Sequence, residues 1–218
     1  MENKKSQLKN IYETLLKSYG HQGWWPLIDC KGTNPTKTGS IDGYHPKDYS
    51  YPKTENQKFE ICVGAILTQN TSWAQTEKAL LNLNQSNALK PKAIASTKFE
   101  KLSLLIKPSG YFNQKARKLK EFTKFYIGLG ENIPSREELL KIWGIGNETA
   151  DSILLYAFKV PTFVVDSYTR RIFSSLGFVD EKSDYEYIKK LFEKNISPNL
   201  EIYQEYHALI VEHAKRCY

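Results

Sequence analysis

The chain has 218 residues, of which 40% are hydrophobic and 13% aromatic, enough for one large folded domain or two small interlocked lobes and too much for a disordered chain. Lys and Arg outnumber Asp and Glu by 31 to 24, a formal net charge of +7, which points to a polyanionic partner such as nucleic acid, although a basic surface without a ligand explains it equally well. No apolar run follows Met1 and none approaches the roughly 18 residues of a membrane span, so a cytoplasmic protein with no membrane partner is expected; Cys30, Cys62 and Cys217 form no Cys-x-x-Cys pair, which leaves a disulfide, a zinc site and an iron–sulfur cluster unsupported.

Helical periodicity dominates. In 7–19 the residues Leu8, Ile11, Tyr12, Leu15, Leu16 and Tyr19 recur at steps of three and four, and Gly20 is a plausible stop. The next stretch, about 27–56, is rich in Gly, Pro, Lys and Tyr and reads as one long irregular loop, a kind often functional. Helical stripes return at Phe59, Val63, Ile66 and Leu67, and again at Ala116, Leu119, Phe122 and Tyr126. Ser135 and Glu138 have capping-box spacing and predict a helix through Ile142. Late helices are expected around Ile188, Leu191 and Phe192, and around Ile202, Tyr206, Leu209 and Ile210. Period-two strands do not recur, so the fold class is all-α.

Residues 139–158 place two helical patterns around Gly144-Ile145-Gly146. Glycines one residue apart let the backbone turn tightly and approach a partner closely, with Asn147 expected as the N-cap of the second helix and Ile145 as an anchor in the core. The free amides of such a turn suit phosphate. A bare Gly-x-Gly is weak evidence; the flanking apolar spacing and Thr149-Ala150 strengthen it.

Those residues, Ile142 to Ala150, together with Phe163-Val-Val-Asp-Ser-Tyr-Thr-Arg-Arg171 and Gly64-Ala-Ile-Leu-Thr-Gln-Asn-Thr71, resemble the endonuclease III superfamily of helix-hairpin-helix DNA glycosylases. With Gly23-Trp-Trp-Pro26 the resemblance is greatest to the 3-methyladenine (alkylpurine) branch. It implies a two-lobed fold with a cleft between a six-helix barrel lobe, 57–161, carrying the hairpin at about 139–158, and a lobe made of both termini, 1–56 plus 162–218. It implies a monomer that acts on double-stranded DNA containing a damaged base, associated with the nucleoid.

On this resemblance Asp166 carries the chemistry. A carboxylate in a dry cleft stabilises the positive charge that develops on the sugar and can deprotonate water. Asp also suits the N-cap of a helix opening at Ser167, and the two roles are compatible. Glu148 stands where strand-cleaving relatives have the lysine that forms a Schiff base; a carboxylate cannot do so, and AP lyase activity is not expected. Glu148 is either part of the pocket or a solvated helix-start residue favoured by the dipole. Trp24, Trp25, Pro26 and Trp73 are the candidate base pocket, where aromatic faces would hold a flipped, cationic base, and they are otherwise core aromatics. Lys215 is a weaker pocket candidate.

Gln69 and Asn70 sit where the family inserts a polar side chain into the gap left by the flipped base. The resemblance further implies DNA-backbone contact through Gly144, Gly146 and Asn147, and a possible monovalent cation at the carbonyls of Leu140, Ile142 and Ile145. Many relatives bind an iron–sulfur cluster through four C-terminal cysteines; here only Cys217 is near such a position, and no cofactor is expected. Three functions stay open: a monofunctional alkylpurine glycosylase, a same-fold glycosylase for another lesion (uracil or thymine in a mismatch, or an oxidised base) with or without lyase activity, and a non-catalytic DNA-binding hairpin protein.

Overall fold

The computed structural model describes residues 3–36 and 42–217; Met1, Glu2, Tyr218 and the 37–41 stretch of the expected loop lie outside the described residues. The fold is all-α, and the chain divides into two compact units. One comprises the chain up to Pro26, Cys30–Tyr49 and everything from Lys159 onward; the other comprises Leu27–Asp29 and Ser50–Phe158. None of the described helices is long and apolar enough to cross a membrane.

The second unit is organised around α2 (Glu55–Leu67), followed by α3 (Trp73–Gln85), α4 (Pro91–Ser96), α5 (Phe99–Leu105), α6 (Phe112–Leu129), α7 (Arg136–Leu140) and α8 (Asn147–Ser152), the last running on as a wide turn through Ile153–Ala157. α2 opens earlier than its apolar stripe suggests, because the Thr54 hydroxyl accepts the Gln57 N–H at 3.2 Å and so caps the helix. Every residue from Phe59 to Leu67 is buried, so the expected stripe of Phe59, Val63, Ile66 and Leu67 is part of a helix covered on all sides. α3, α6, α8 and the wide turn pack on it. The carbonyl of Leu67 accepts the Lys115 ammonium of α6 at 2.8 Å, a buried lysine answering the negative end of the helix dipole. On α6 itself, Ala116, Leu119, Phe122 and Tyr126 form the buried face, as their spacing predicts.

The other unit holds α1 (Lys4–Tyr19), α9 (Ser167–Ser175), α10 (Tyr185–Asn195) and α11 (Leu200–Cys217). α11 packs on α1 and α9 around Phe163, Phe173, Phe192 and Tyr206; Phe163 and Phe192 stack nearly parallel, and the Tyr206 hydroxyl donates to the Leu8 carbonyl at 2.9 Å. α1 starts at Lys4, ahead of the expected position, because Asn3 caps it. The 27–56 stretch is not wholly irregular: Gly32–Thr33 (β1) and Asp42–Tyr44 (β2) pair antiparallel, Gly32 against Tyr44, and its last residues already belong to α2.

One buried charge in the α2 unit is set up for a pH test. Gln57 and Glu60 tether Leu27–Asp29 to α2: the Ile28 N–H donates to Glu60 Oε1 at 2.8 Å, and Gln57 Nε2 donates to Asp29 at 3.0 Å. Burial, and to a lesser degree the charge of Asp29, raise the Glu60 carboxyl from 4.5 to about 7, although the Ile28 N–H works against the rise. The folded state therefore holds more protons than the unfolded state between these values, and stability falls as pH rises through that window. Glu60→Gln keeps an acceptor for Ile28 and removes this slope. In urea titrations the variant is expected to exceed the parent at about pH 8 by on the order of 2 kcal/mol and to match it near pH 5.

Candidate active site

The hairpin is built as the glycines require. α7 begins with the expected capping box: the Ser135 hydroxyl accepts the Glu138 N–H, and the Glu138 carboxylate accepts the Ser135 N–H. α7 ends at Leu140, before the expected Ile142, because the chain tightens there, the Ile142 N–H reaching the Leu139 carbonyl at 3.1 Å. Gly144 takes φ +83°, and a Cβ there would press into the stem of Lys118. Ile145 is buried as the anchor. Gly146 is the extended N-cap residue of α8, and Asn147 is the first helical residue. That corrects the expected cap at Asn147: its backbone has already turned helical, so its side chain is one position too late to cap. No atom lies within 4 Å of where a Gly146 Cβ would be, so the backbone faces open space. The Ile142 carbonyl, one of the three expected at a monovalent cation, accepts the Ile145 N–H at 3.1 Å.

Two ties that the sequence did not reveal hold this hairpin. Arg136 of α7 binds the fully buried Asp151 of α8 through two contacts of 2.9 and 3.2 Å, joining both arms. Gln69, in the turn after α2, donates to the Gly144 carbonyl at 3.1 Å and to the Thr149 hydroxyl at 2.9 Å, and accepts from the Lys118 ammonium. Gln69 and Asn70 thus separate: Gln69 is committed to the hairpin, while Asn70 is exposed with left-handed φ +52°. Trp73 is the first residue of α3 and half-buried. Glu148 is exposed in the first turn of α8, a position the helix dipole favours for a carboxylate. Beside the turn, Trp143 is 45% exposed with the Arg117 guanidinium 4.1 Å from its ring centre.

The carboxylate lies in the other unit. Phe163, Val164 and Val165 are buried and deliver the chain to Asp166, whose side chain is 11% exposed. Asp166 caps α9: Oδ1 accepts the Thr169 N–H and the Thr169 hydroxyl, each at 2.7 Å. Oδ2 lies 3.7 Å from Nε2 of His207 on α11. Burial would raise this carboxyl, yet the His207 side chain first and Thr169 second outweigh it and hold the group below its usual 3.8.

Trp24 stands edge-on to the His207 ring, centroids 5.8 Å apart at 86°, and edge-on to Trp25 at 5.9 Å. The Lys215 ammonium lies 5.8 Å from the centre of the Trp24 ring, and burial lowers its pKa. Trp24, Asp166 and Lys215 are therefore brought together with His207; Trp25 and Pro26 are buried, and Trp73 and Glu148 belong to the hairpin unit.

The stretch that composition left unplaced cradles these tryptophans. Gly23 adopts φ +69°, and a Cβ there would collide with the backbone of His45 and Pro46. The His45 N–H donates to the Gly23 carbonyl at 3.1 Å, and the His45 ring nitrogens lie 3.0 Å from the Trp25 carbonyl and 2.8 Å from that of Asp48. From α11, the buried Glu205 accepts the Gln22 N–H at 2.5 Å and the Tyr49 hydroxyl at 2.7 Å. His207 and Glu205 had no sequence signal, since polar residues on an otherwise apolar helix read as ordinary.

The cysteines do not suit an iron–sulfur cluster: Cys62 is fully buried in α2, Cys30 donates to the Tyr44 carbonyl, and Cys217 is exposed at the end of α11. Among the described residues no group of metal-ligating side chains forms.

Comparison with known proteins fits this geometry. The model of the HhH-GPD superfamily base excision DNA repair protein matches residues 63–198, which include the hairpin and Asp166 and exclude Trp24, His207 and Lys215. A "Putative DNA repair glycosylase" of Methanocaldococcus jannaschii is 44% identical over 226 aligned residues, 99% of this chain and 90% of the relative, and endonuclease III of Thermotoga maritima is 35% identical over 65% of this chain and 68% of its own. Among solved structures, the H. pylori 3-methyladenine DNA glycosylase bound to 1,N6-ethenoadenine superposes with a TM-score of 0.74 at 27% identity, covering 100% of this chain and 99% of that one. An endonuclease III–DNA covalent intermediate shares the fold at TM-score 0.72 and 20% identity, covering 97% and 85%. A family match over more than half the chain and a relative of this identity along nearly all of it have one meaning: the protein belongs to the HhH-GPD superfamily of base excision DNA repair proteins and is a base-excision DNA glycosylase.

Proposed function

We propose that this glycosylase is monofunctional and excises an alkylated purine such as 3-methyladenine, flipped out of double-stranded DNA, acting as a monomer without an iron–sulfur cluster. The observation that carries the reading is the array of Lys215, Trp24, His207 and Asp166 in one unit, an aromatic ring and a buried carboxylate that both meet one imidazole. The glycosylase from H. pylori, similar along the whole chain, supports the same substrate class.

The chemistry follows from charge. Trp24 offers a face on which a flipped cationic purine stacks. As the C1′–N bond breaks, its electron pair leaves with the purine and cancels the positive charge there. The sugar becomes cationic, and the Asp166 carboxylate stabilises it. The oxygen of water then adds to C1′, its proton passing through the carboxylate to solvent, and an abasic site remains. The hairpin amides of Gly144, Gly146 and Asn147 hold phosphate and fix register without reading sequence. Asn70 is the better placed of the two candidates for the gap, since Gln69 is bonded to the hairpin.

Two measurements test the reading. Asp166→Asn preserves the α9 cap, since Asn caps as well as Asp, so stability should change by no more than about 1 kcal/mol. Binding to duplex DNA should also survive, while release of 3-methyladenine from methylated DNA falls by orders of magnitude. Normal release by the folded variant would end Asp166's candidacy.

Strand cleavage is the second. Glu148 is acceptor-only when ionised and forms no imine with the sugar. Abasic product should therefore break only on heating with alkali, and borohydride should trap no enzyme–DNA adduct. A stoichiometric adduct would mean that a lysine, Lys215 first, reaches C1′, and would refute monofunctionality. Glu148→Lys should gain some trapping, and no gain would put that side chain outside the pocket.

A further inference from the structure

Capping α9 needs only one oxygen of Asp166, and Oδ1 supplies it by taking both the Thr169 N–H and the Thr169 hydroxyl. Oδ2 is left for another purpose, and the group that meets it comes from a distant part of the chain. His207 is 4% exposed on the buried side of α11, with Nε2 3.7 Å from Oδ2 and Trp24 nearly perpendicular to its ring. That separation is within electrostatic reach but too long for a hydrogen bond. A packing role does not call for an imidazole here, since an apolar ring of that size would fill the space without the cost of desolvating a polar group.

We infer that His207 is a positioning residue for base excision: it holds Asp166 Oδ2 ionised and fixed in direction, and it sets the spacing between that carboxylate and the Trp24 face. The inference rests on Asp166 as the reacting carboxylate. Its physical basis is the opposition between burial and charge. A carboxyl buried as deeply as Asp166 drifts toward its neutral form, and a neutral acid neither stabilises a sugar cation nor takes a proton from water. Thr169 offsets part of this, and the His207 side chain offsets more. Trp24 packs on the same ring, so a shift of His207 would move wall and carboxylate together.

The other charged and titratable groups on the surrounding helices have these contacts. On α11, Glu205 binds Gln22 and Tyr49, and Lys215 lies over Trp24. On α1, Tyr12 packs on Tyr206 and Tyr19 bonds His213; on α9, Arg170 is turned to the Ser183 carbonyl and Arg171 lies near Tyr168.

The test compares His207→Ala, His207→Gln and the parent in single-turnover release of 3-methyladenine from dimethyl-sulfate-treated duplex DNA, across pH. Binding of a duplex with a tetrahydrofuran abasic analogue is measured alongside. His207→Ala should slow release about 100-fold near neutral pH, with analogue binding within about twofold. Its acidic limb should move to higher pH, so that part of the loss recovers as pH rises, because the carboxyl now needs a higher pH to ionise. His207→Gln keeps a donor and should recover much of the rate.

A parental rate and limb in folded His207→Ala would overturn the inference. So would a loss equal at every pH together with weakened analogue binding, which marks a packing role. If the Ala variant does not fold, the Gln variant carries the same comparison. If the parent itself releases no base from methylated DNA, the substrate reading fails separately. His207 is then judged by titrating the 13C-labelled Asp166 carboxyl in parent and Gln variant: an upward shift in the variant supports it, and no shift overturns it.

Discussion

A carboxylate can steady a sugar cation only if it is both shielded from water and ionised, and these demands oppose each other. Shielding strengthens the interaction with the cation but penalises the charge that makes it. On the proposed reading Asp166 meets both by having its oxygens served from different directions. Oδ1 is held locally by the first turn of α9, and Oδ2 is met from α11 by His207. The rest of that unit follows from this requirement. α11 must be fixed closely enough for an imidazole to lie against Oδ2, and it is locked by packing on α1 and α9 and by the Tyr206 hydroxyl on the Leu8 carbonyl. The same helix fixes the aromatic segment, since Glu205 takes the Gln22 N–H just before Gly23 and Trp24.

On the proposed reading the hairpin unit answers a different constraint, that of presenting backbone amides at a fixed angle. Magnitudes identify what holds it. The capping box at Ser135 contributes about 1 kcal/mol, typical of one cap. Removing one partner of the buried Arg136–Asp151 pair would cost about 3–5 kcal/mol, because the other charge would be stranded. Removing one partner of that pair would therefore disturb the arms more than losing the cap, which only trims the end of α7. Gln69 extends the rigid body to the turn that carries Asn70, since its amide spans Gly144, Thr149 and Lys118.

What the sequence disclosed, and what it hid, divides along the range of the interactions. Gly144, Ile145, the Ser135–Glu138 box and the Asp166 cap are local: each is completed within a few residues, and each was legible. The Asn147 cap was misread by one position, within the usual uncertainty of a helix end. Contacts made across the chain were invisible. His207 is 41 residues from Asp166, Glu205 is 183 from Gln22 and 156 from Tyr49, and Gln69 is 80 from Thr149. Periodicity carries no information over such spans. The 27–56 stretch shows the same limit, since Gly, Pro and Tyr signal irregular backbone while its work, wrapping Gly23 and the Trp25 carbonyl through His45, depends on what it touches.

Two carboxylates, one in each unit, sit in opposite environments. Asp166 is buried, capped and paired, and its environment keeps charge on it where water is scarce. Glu148 is exposed in the first turn of α8, where the helix dipole favours a negative group at no cost in desolvation. Hydrolysis of a cationic purine needs only the first kind of group, because the base is already a good leaving group and the sugar needs only charge stabilisation and water. Strand cleavage needs an uncharged amine at the sugar, and the neutral form of an amine is favoured by burial, as the lowered pKa of Lys215 illustrates. An exposed site works against that form, since solvation keeps an ammonium protonated even though the first-turn dipole opposes the cation. On the proposed reading, changing position 148 to lysine supplies the missing atom without the missing environment, so the trapping it confers should be partial. Full lyase activity would require that lysine to be desolvated as deeply as Asp166 is.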